Sequence, residues 1–369
     1  MLDLSHLPYV DGHMHPPLRR PPATTEEYRV PWYEGRAESS RMVTDLATYR
    51  AAIRDLAEHL GCEESEDAVV AAIGARDAGA WFAEMMRLGG IEGLIMDMGY
   101  PDPADALSVE NARSMSGVEV RPLLRVESVA GGLVDGAATF GELAERYDAA
   151  LRAARDDGYL GLKSIIAYRT GLAVEPVDEA AAAEAYEEQR RIGSRISVKP
   201  LLDHLLVRAL RIARELGLSM QLHTGYGDRD LDLALGNPLH LRPLLESGAA
   251  DGVPLVLLHG SWPYTREAAY LAAVHQDVYT DIATCIPPLG FGEMVSMWRS
   301  ALAAAPVSRI QASTDSAGVP EQAGLGARWG RRSLAVALEE LISAGMLRAS
   351  EAEEAAAAIL AGNARRLYV

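Results

Sequence analysis

Two histidines near the N-terminus have the spacing of a metal-binding pair. His13 and His15 follow a short apolar stretch in the segment YVDGHMH, residues 9–15. In a β-strand, residues i and i+2 point to the same face, so both imidazoles can reach one bound cation. Imidazole is a common ligand of zinc and related metals. Taken alone, the pair is equally compatible with two unrelated polar residues at the end of a strand.

Further residues of the same chemical types occur in other short apolar stretches. Lys163 lies within GLKSII, His223 ends MQLH, His259 ends LVLLH and Asp315 ends QASTD. If these stretches are parallel strands of one barrel, their ends meet at one mouth. Three or four imidazole and carboxylate ligands suit a catalytic zinc site that leaves one position open for water. The recurrence of these residues at strand ends therefore favours a metal centre over coincidence.

The elements that must position these side chains are eight predicted strands. They cover residues 9–13, 93–98, 119–126, 161–166, 219–223, 254–259, 278–281 and 309–313. Amphipathic stretches between them, such as 140–156 and 199–215, predict helices, and this alternation favours a parallel sheet. Eight such units predict a (β/α)8 TIM-type barrel. A doubly wound sheet is the alternative, but HMHPP stands where its glycine-rich phosphate turn would lie.

The segment after the first strand is far longer than an ordinary connection between strand and helix. We predict that residues 16–90 form a helical insertion over the barrel mouth, with helices at 45–60 and 65–87. Two more helices, at 332–344 and 350–361, are expected after the eighth strand. The prediction is thus a single barrel domain over residues 1–369, with an insertion that caps the pocket or only adds stability.

Composition limits the classes of partner. The 369 residues carry a formal net charge of −17 and no basic cluster, which argues against nucleic-acid binding. No apolar run approaches the roughly 20 residues of a membrane span, and the N-terminus lacks the features of a signal peptide. Two cysteines far apart, Cys62 and Cys285, fit a reducing cytoplasm. We expect a cytoplasmic protein with a small-molecule substrate, and leave open whether it forms a homo-oligomer.

A metal centre of this kind predicts hydrolysis. Zinc lowers the pKa of a bound water from 15.7 to about 7. Asp315 beside that water could take its remaining proton and later deliver it to a leaving nitrogen. His259 or Lys163 could help to stabilise the developing oxyanion. The expected reaction is hydrolysis of an amide or other C–N bond; the alternatives are metal-dependent non-oxidative decarboxylation of a small acid and a non-catalytic binding or regulatory role.

Three residues on the strand-end loops are candidates for substrate binding. Arg169 directly follows strand four, where its guanidinium could grip a substrate carboxylate or pair with a loop acid. Trp262 and Tyr264 follow His259 and could wall the pocket or pack on the barrel rim. Asp11, two residues before His13, could orient a ligand imidazole or cap the strand end.

Several motifs resemble the amidohydrolase superfamily and, within it, the amidohydrolase-2 branch. They are the strand-end set already described, LAEHLGC at 56–62, GLKSIIAYRTGL at 161–172 and LAGNARRLY at 360–368. The likeness is greatest to the subgroup related to glutamine-synthetase-associated amidohydrolase domains, and it extends over nearly the whole chain. It implies a metal-dependent barrel hydrolase without identifying the substrate.

The resemblance also implies a role for each residue of the set. His13, His15 and His223 would be metal ligands, and Asp315 would bind the metal or its water and act as general base. His259 would bind a second metal or hydrogen-bond the reacting group. Lys163 would be carboxylated and bridge two metals, polarise a substrate carbonyl, or form an ion pair. The implied cofactor is one or two divalent ions, with zinc expected and manganese or iron as alternatives.

Overall fold

A computed structural model describes residues 2–35, 37–286 and 288–368. Eight strands form one sheet in chain order, and each pairs in parallel with the next. They are β1 Tyr9–Met14, β2 Ile91–Asp97, β3 Glu119–Arg125, β4 Gly161–Ser164, β5 Ser219–Leu222, β6 Leu255–Leu257, β7 Val278–Ala283 and β8 Ile310–Ser313. The amide of Asp315, just after β8, donates to the carbonyl of His13 at 2.9 Å, so the last strand lies against the first. The predicted (β/α)8 barrel is confirmed. All eight strands overlap their predicted regions, although β1, β2 and β7 extend beyond the predicted bounds by one or two residues.

Helices separate the strands and surround the barrel. They are α1 Thr25–Arg29, α2 Ala47–Leu60, α3 Glu66–Gly74, α4 Ala78–Gly89, α5 Val109–Ser116, α6 Val126–Val134, α7 Phe140–Ala153, α8 Glu179–Ile192, α9 Lys199–Leu216, α10 Arg242–Glu246, α11 Thr265–Val274, α12 Phe291–Leu302, α13 Pro320–Ser343, α14 Ala349–Ala357 and α15 Asn363–Leu367. Apolar side chains at helical spacing bury one face of the long helices; in α9, for example, Leu202, Leu205, Leu206 and Ala209 are buried. Across the described ranges, no helix is long and apolar enough to cross a bilayer.

The long segment between β1 and β2 is largely helical, as its sequence predicts. The helix expected over 65–87 is two helices, because Ser65 caps α3 and Asp77 caps α4 with side-chain oxygens that accept backbone N–H groups. The last of these, α4, packs on β2 and on α13 in the outer ring. A loop of the same segment is held near the barrel mouth, where Gln322 donates to the carbonyl of Pro31 at 2.6 Å. The role of residues 16–90 as one insertion stays a prediction, and Arg36 within it lies outside the described residues.

Helix α13 begins at Pro320 rather than at the predicted residue 332. Its first half contains glycines that weaken a helical pattern in sequence but permit close packing. A Cβ on Gly324 would lie 2.8 Å from the carbonyl oxygen of Met85, and a Cβ on Gly326 would lie 3.0 Å from the Thr314 side chain. The helix therefore packs directly against α4 and against the residue that precedes Asp315.

The C-terminal segment closes the opposite end of the barrel. Val10, Ile95, Leu123, Ala361, Ala364 and Tyr368 form a small buried cluster there. The Tyr368 hydroxyl lies within hydrogen-bonding distance of the Gln221 side chain inside the barrel. This contact links the end of the described chain to the interior layer beneath the mouth.

One buried carboxyl lies between α4 and α13. Trp81 donates its indole N–H to Glu321 Oε1 at 2.5 Å, and the other Glu321 oxygen is buried without a partner among the described residues. Burial raises the pKa of Glu321 to about 7, against the hydrogen bond from Trp81. At this interface the protein keeps a carboxyl group whose charged form is disfavoured.

Candidate metal centre and active site

His13, His15 and Asp315 come together at the barrel mouth. One ligand atom from each lies within 4.8 Å of the other two. Asp315 Oδ1 is 3.3 Å from His13 Nε2 and 3.6 Å from His15 Nε2. Burial lowers the pKa of His13 to about 3 and that of His15 to about 4, so both imidazoles are neutral at pH 7, as metal binding requires. Two neutral imidazoles and a carboxylate fit a divalent cation.

Asp11 connects the two strands that carry this group. Its carboxylate accepts the Thr314 N–H at 2.9 Å and the Thr314 hydroxyl, and more weakly the His13 N–H at 3.4 Å. Asp11 therefore fixes the backbone on either side of the site rather than an imidazole. Asp315 itself has φ +54°, an uncommon value for a residue other than glycine. The contacts to Thr314 help to hold this backbone, which aims the Asp315 side chain at the histidines.

Gln221 determines which nitrogen of His13 is free. Its Nε2 donates to the carbonyl of Gly12 at 2.8 Å and to the Tyr368 hydroxyl at 2.6 Å. A carbonyl only accepts, so the other end of the amide, Oε1, must face His13 Nδ1, which lies 2.6 Å away. His13 Nδ1 is then the donor, and the Nε2 lone pair points toward Asp315. This is the tautomer that a metal ligand needs.

A chain of close polar contacts continues from Asp315 to two further histidines. His259 Nδ1 lies 2.9 Å from Asp315 Oδ2, and His259 Nε2 lies 2.9 Å from His223 Nδ1. The histidines around Asp315 hold its pKa well below its usual value although burial opposes this, so an ionised carboxylate faces His259. In the arrangement in which His259 Nε2 is the acceptor, the His223 Nδ1–H is the donor to it. His223 Nε2, which is buried and unpaired within the described structure, is then left with a free lone pair.

His223 and His259 thus adjoin the metal group through this chain of contacts. The group whose ligand atoms surround one common point contains neither of them among the residues described. The role of His223 as a metal ligand, and of His259 as a ligand or hydrogen-bonding partner, stays a prediction. His259 has φ +62° and its N–H donates to Asp281 at 2.6 Å, so this strand end is fixed as firmly as that of Asp315.

Lys163 is buried in the same layer of the barrel. Its Nζ lies 3.4 Å from His13 Nε2. Burial lowers the pKa of Lys163 to about 8, although the negative charges of Asp97 and Asp315 oppose the shift. A lowered pKa favours the neutral amine, the form that reacts with carbon dioxide or accepts a proton. Its carboxylation stays a prediction.

An ion pair borders Lys163 on the neighbouring strands. Asp97 accepts Arg125 Nη2 at 2.6 Å and the Gly99 N–H at 2.9 Å. Although burial opposes it, Arg125 and the nearby His15 hold the pKa of Asp97 well below its usual value. Asp97 therefore both orders the loop after β2 and supplies a fixed negative charge beside the site.

A cavity of about 450 Å³ opens above the metal group. Besides His15, Lys163, His223, His259 and Asp315, its lining includes Tyr33, Glu34, Tyr100, Arg125, Tyr168, Arg169, Arg195, Tyr226, Asp228 and Asp230. Arg169 thus lies where a substrate-binding residue should. The segment between β1 and β2 contributes Tyr33 and Glu34, so it forms part of the wall.

Trp262 and Tyr264 are not among the described residues that line this cavity. Trp262 donates its indole N–H to Glu293 at 3.0 Å, and its ring packs on Tyr226, with 5.7 Å between the centroids. Tyr264 immediately precedes α11. The substrate contacts expected of these two residues stay predictions, and the geometry gives Trp262 an indirect position behind Tyr226.

Reasoning from sequence missed Gln221, Arg125 and Glu34. Gln221 precedes His223 by two positions, so strand periodicity alone places both on one face. Arg125 pairs with Lys163 in the β3–β4 register, and Lys163 pairs with Gln221 across β4–β5. Gln221 and Arg125 could have been found by asking which other residues of each strand share a face with the residues at the strand ends. Glu34 had no such signal, because a loop distant from the strand ends places it at the mouth.

An eight-stranded parallel barrel with histidines and a carboxylate at its mouth is the architecture of metal-dependent barrel hydrolases. The model of the amidohydrolase family, Amidohydro_2, matches residues 122–369, more than half of the chain. The chain therefore belongs to the amidohydrolase family, and the resemblance inferred from its motifs is confirmed. This family membership implies a divalent metal, for which His13, His15 and Asp315 form a candidate site.

Individual relatives agree with this assignment. The chain is 36% identical over 225 residues to protein fluG of Emericella nidulans, a match that covers 58% of the chain and 26% of fluG. The match thus spans about a quarter of the length of that curated relative. A crystal structure from Lactobacillus casei described as a "putative metal-dependent hydrolase" is 26% identical, with a TM-score of 0.89 over 98% of this chain and 95% of that one. A uronate isomerase from Thermotoga maritima, 14% identical with a TM-score of 0.71 over 99% and 95%, shares the fold.

Proposed function

We propose that this metal-dependent hydrolase cleaves an amide or related C–N bond of a small, carboxylate-bearing substrate. The observation that carries the proposal is the convergence of His13, His15 and Asp315, with the hydrogen-bonded histidines behind them, beneath a cavity of about 450 Å³. The cavity size suits a small molecule.

Asp315 is the general base in this proposal. It takes a proton from the attacking water, whose oxygen adds to the carbonyl carbon, and it returns a proton to the nitrogen as the C–N bond breaks. His259, whose Nδ1 lies 2.9 Å from Asp315 Oδ2, keeps the carboxylate oriented during both transfers. A divalent ion held by His13, His15 and Asp315 would supply Lewis acidity and lower the pKa of the attacking water.

Two other groups at the mouth, Lys163 and His223, suit different parts of the reacting substrate. Lys163 is a buried donor whose Nζ already lies beside His13. His223 is an acceptor rather than a donor in this arrangement, because its Nε2 carries a lone pair. Lys163 therefore suits the oxyanion, whereas His223 suits a metal or a substrate N–H.

Arg169 binds the substrate carboxylate. It lines the cavity, and its Nε is buried without a partner within the described chain. A guanidinium matches a carboxylate in two-pronged geometry. The other two arginines of the cavity already have acidic partners, since Arg125 pairs with Asp97 and Arg195 lies 3.4 Å from Asp230.

The first experiment combines metal analysis with a substrate panel. Purified protein should contain about one or two equivalents of zinc, manganese or iron, measured by atomic emission. A panel of N-acyl, N-carbamoyl and cyclic amides of small amino acids is then assayed for release of the amine and for uptake of oxygen from ¹⁸O-labelled water. Asp315→Asn should abolish turnover, whereas Asp232→Asn, an exposed carboxylate change on the strand-five loop, should leave it unchanged.

The same assay separates the competing reactions. Release of carbon dioxide without incorporation of ¹⁸O would replace hydrolysis by decarboxylation. Full activity in protein stripped of metal would contradict the proposal, as would turnover retained in both Asp315→Asn and His13→Ala.

A further inference from the structure

Arg169 is the arginine of the cavity that has no acidic partner among the described residues. Arg169 makes no ion pair within the described residues, and its Nε is buried and unpaired. Burial and the nearby charge of Arg195 lower the pKa of Arg169. The unpaired Nε and the position in the cavity wall leave Arg169 available to an anionic group of a ligand.

The same cavity contains one carboxylate in the corresponding situation. Glu34 lies in the loop after Trp32 and has neither a hydrogen bond nor an ion pair in the part of the chain that is described. Burial, followed by the charges of Asp315 and Asp228, raises the pKa of Glu34 to about 8. The cavity thus contains an acidic side chain, Glu34, and a basic side chain, Arg169, that both lack an ion-pair partner among the described residues.

Three tyrosines, Tyr100, Tyr168 and Tyr226, line the same cavity as Glu34. In each of them the pKa is raised first by burial and next by the charge of Glu34, which agrees with this shared position. The Tyr168 ring stacks on His223 with 4.4 Å between the centroids. A carboxylate among aromatic rings is an environment that favours an ammonium group, through ion pairing and through the negative faces of the rings.

We propose that the substrate is a small amino-acid-like zwitterion, with its carboxylate on Arg169 and its ammonium group among Glu34 and the three tyrosines. This inference rests on the proposed function, because it places the charged groups beside the candidate catalytic centre. It narrows the substrate from any small carboxylate to one that carries a positive charge as well. Glu34 then determines specificity without taking part in bond cleavage.

The test measures binding to the metal-loaded protein by calorimetry, without turnover. The probes are L-norvaline and 5-aminopentanoate, which are zwitterions with adjacent or distant charges, together with pentanoate and pentylamine, which carry one charge each. We expect one zwitterion to bind about tenfold more tightly than pentanoate, which is a modest gain for one ion pair in a buried site. Glu34→Gln should remove this advantage and leave the pentanoate affinity unchanged. Arg169→Met should weaken both the zwitterion and pentanoate.

Glu26→Gln is the matched control, since it removes one exposed carboxylate from the same segment. The inference is overturned if pentanoate binds as tightly as both zwitterions, or if Glu34→Gln keeps the preference for a zwitterion. Hydrolysis is scored separately on the amide panel. A preference for zwitterions without C–N cleavage would refute the proposed reaction alone, whereas cleavage without the preference would refute only the zwitterion.

Discussion

Gln221 offers the sharpest test of how the metal centre is built. Its Oε1 accepts His13 Nδ1–H at 2.6 Å and so keeps the His13 Nε2 lone pair free. In Gln221→Leu this acceptor is lost. The free protein can then move the His13 proton to Nε2, where it donates to Asp315 Oδ1, 3.3 Å away. A metal ion can bind Nε2 only after the proton has returned to Nδ1, so Gln221→Leu should lower the affinity for the metal.

The size of the loss follows from the hydrogen bond that must be given up. When the proton returns to His13 Nδ1 in the variant, this buried N–H has no acceptor, which costs about 1–3 kcal/mol. At about 1.4 kcal/mol for each factor of ten, the dissociation constant for zinc should rise about 5- to 150-fold. This range contains the roughly 10- to 100-fold effects expected when the partner of a ligating histidine is removed.

The assay is competition with a chromogenic zinc chelator, with ¹⁵N chemical shifts of the histidine ring nitrogens as a second readout. Tyr368→Phe is the graded control. It removes only one of the two anchors of Gln221, because the bond to the Gly12 carbonyl at 2.8 Å remains. Its loss of affinity should be a few-fold at most, below that of Gln221→Leu.

Unchanged zinc affinity in a folded Gln221→Leu protein would refute this reasoning. So would a free wild-type protein whose His13 ring shifts report the proton on Nε2. Circular dichroism and the thermal midpoint establish that each variant is folded before its affinity is interpreted.

Three further predictions concern other parts of the molecule. Arg169→Met should raise KM for a carboxylate substrate about 10- to 100-fold with little change in kcat, because a charged hydrogen bond is worth about 1.5–3 kcal/mol; Arg191→Met, on the exposed face of α8, is the control. Glu321, whose folded pKa is about 7 against an ordinary 4.5, loses its proton first in the unfolded chain, so stability should fall as pH rises from 4.5 to 7. Glu321→Gln has no carboxyl group at this position and does not lose stability in this way. Its unfolding free energy minus that of the wild type should therefore increase by at most about 3 kcal/mol between pH 4.5 and 7, measured by urea unfolding. In α6, Gly131→Ala should destabilise the fold because its Cβ would lie 2.5 Å from the Ser194 carbonyl oxygen, whereas Gly132→Ala, in open space, should stabilise it by up to about 1 kcal/mol.

Each of these has a result that contradicts it. An equal KM change in Arg169→Met and Arg191→Met would point to a general electrostatic effect. A stability difference between wild type and Glu321→Gln that does not vary with pH would show that this carboxyl does not titrate as its burial implies. Equal thermal midpoints for Gly131→Ala and Gly132→Ala would refute the close contact at Ser194.

The barrel and the core of the candidate site could be predicted from the sequence because both depend on local patterns. Each strand is a short apolar run, and the alternation of strands with amphipathic helices leaves few topologies. A parallel barrel then brings the ends of all strands to one mouth. His13, His15, His223, His259 and Asp315 could therefore be placed together without knowledge of any contact between them.

Helix α13 shows where local patterns fail. Gly324 and Gly326 weaken its first half as a helix in isolation, so the sequence predicts a start near residue 332. In the folded protein the same glycines let the helix approach Met85 and Thr314 closely. Packing over long sequence distances outweighs the unfavourable propensity, and the helix begins at Pro320.

The sequence by itself determined the strands, their order and the chemical types of the side chains at the mouth, because these follow from periodicity and from the geometry of parallel strands. Only the tertiary structure decided which groups orient and surround them. Tyr368 reaches Gln221 from the far end of the chain, and Glu34 enters the cavity from a loop outside the barrel strands. Such contacts depend on how distant segments pack, and no pattern within either segment encodes the partner it meets.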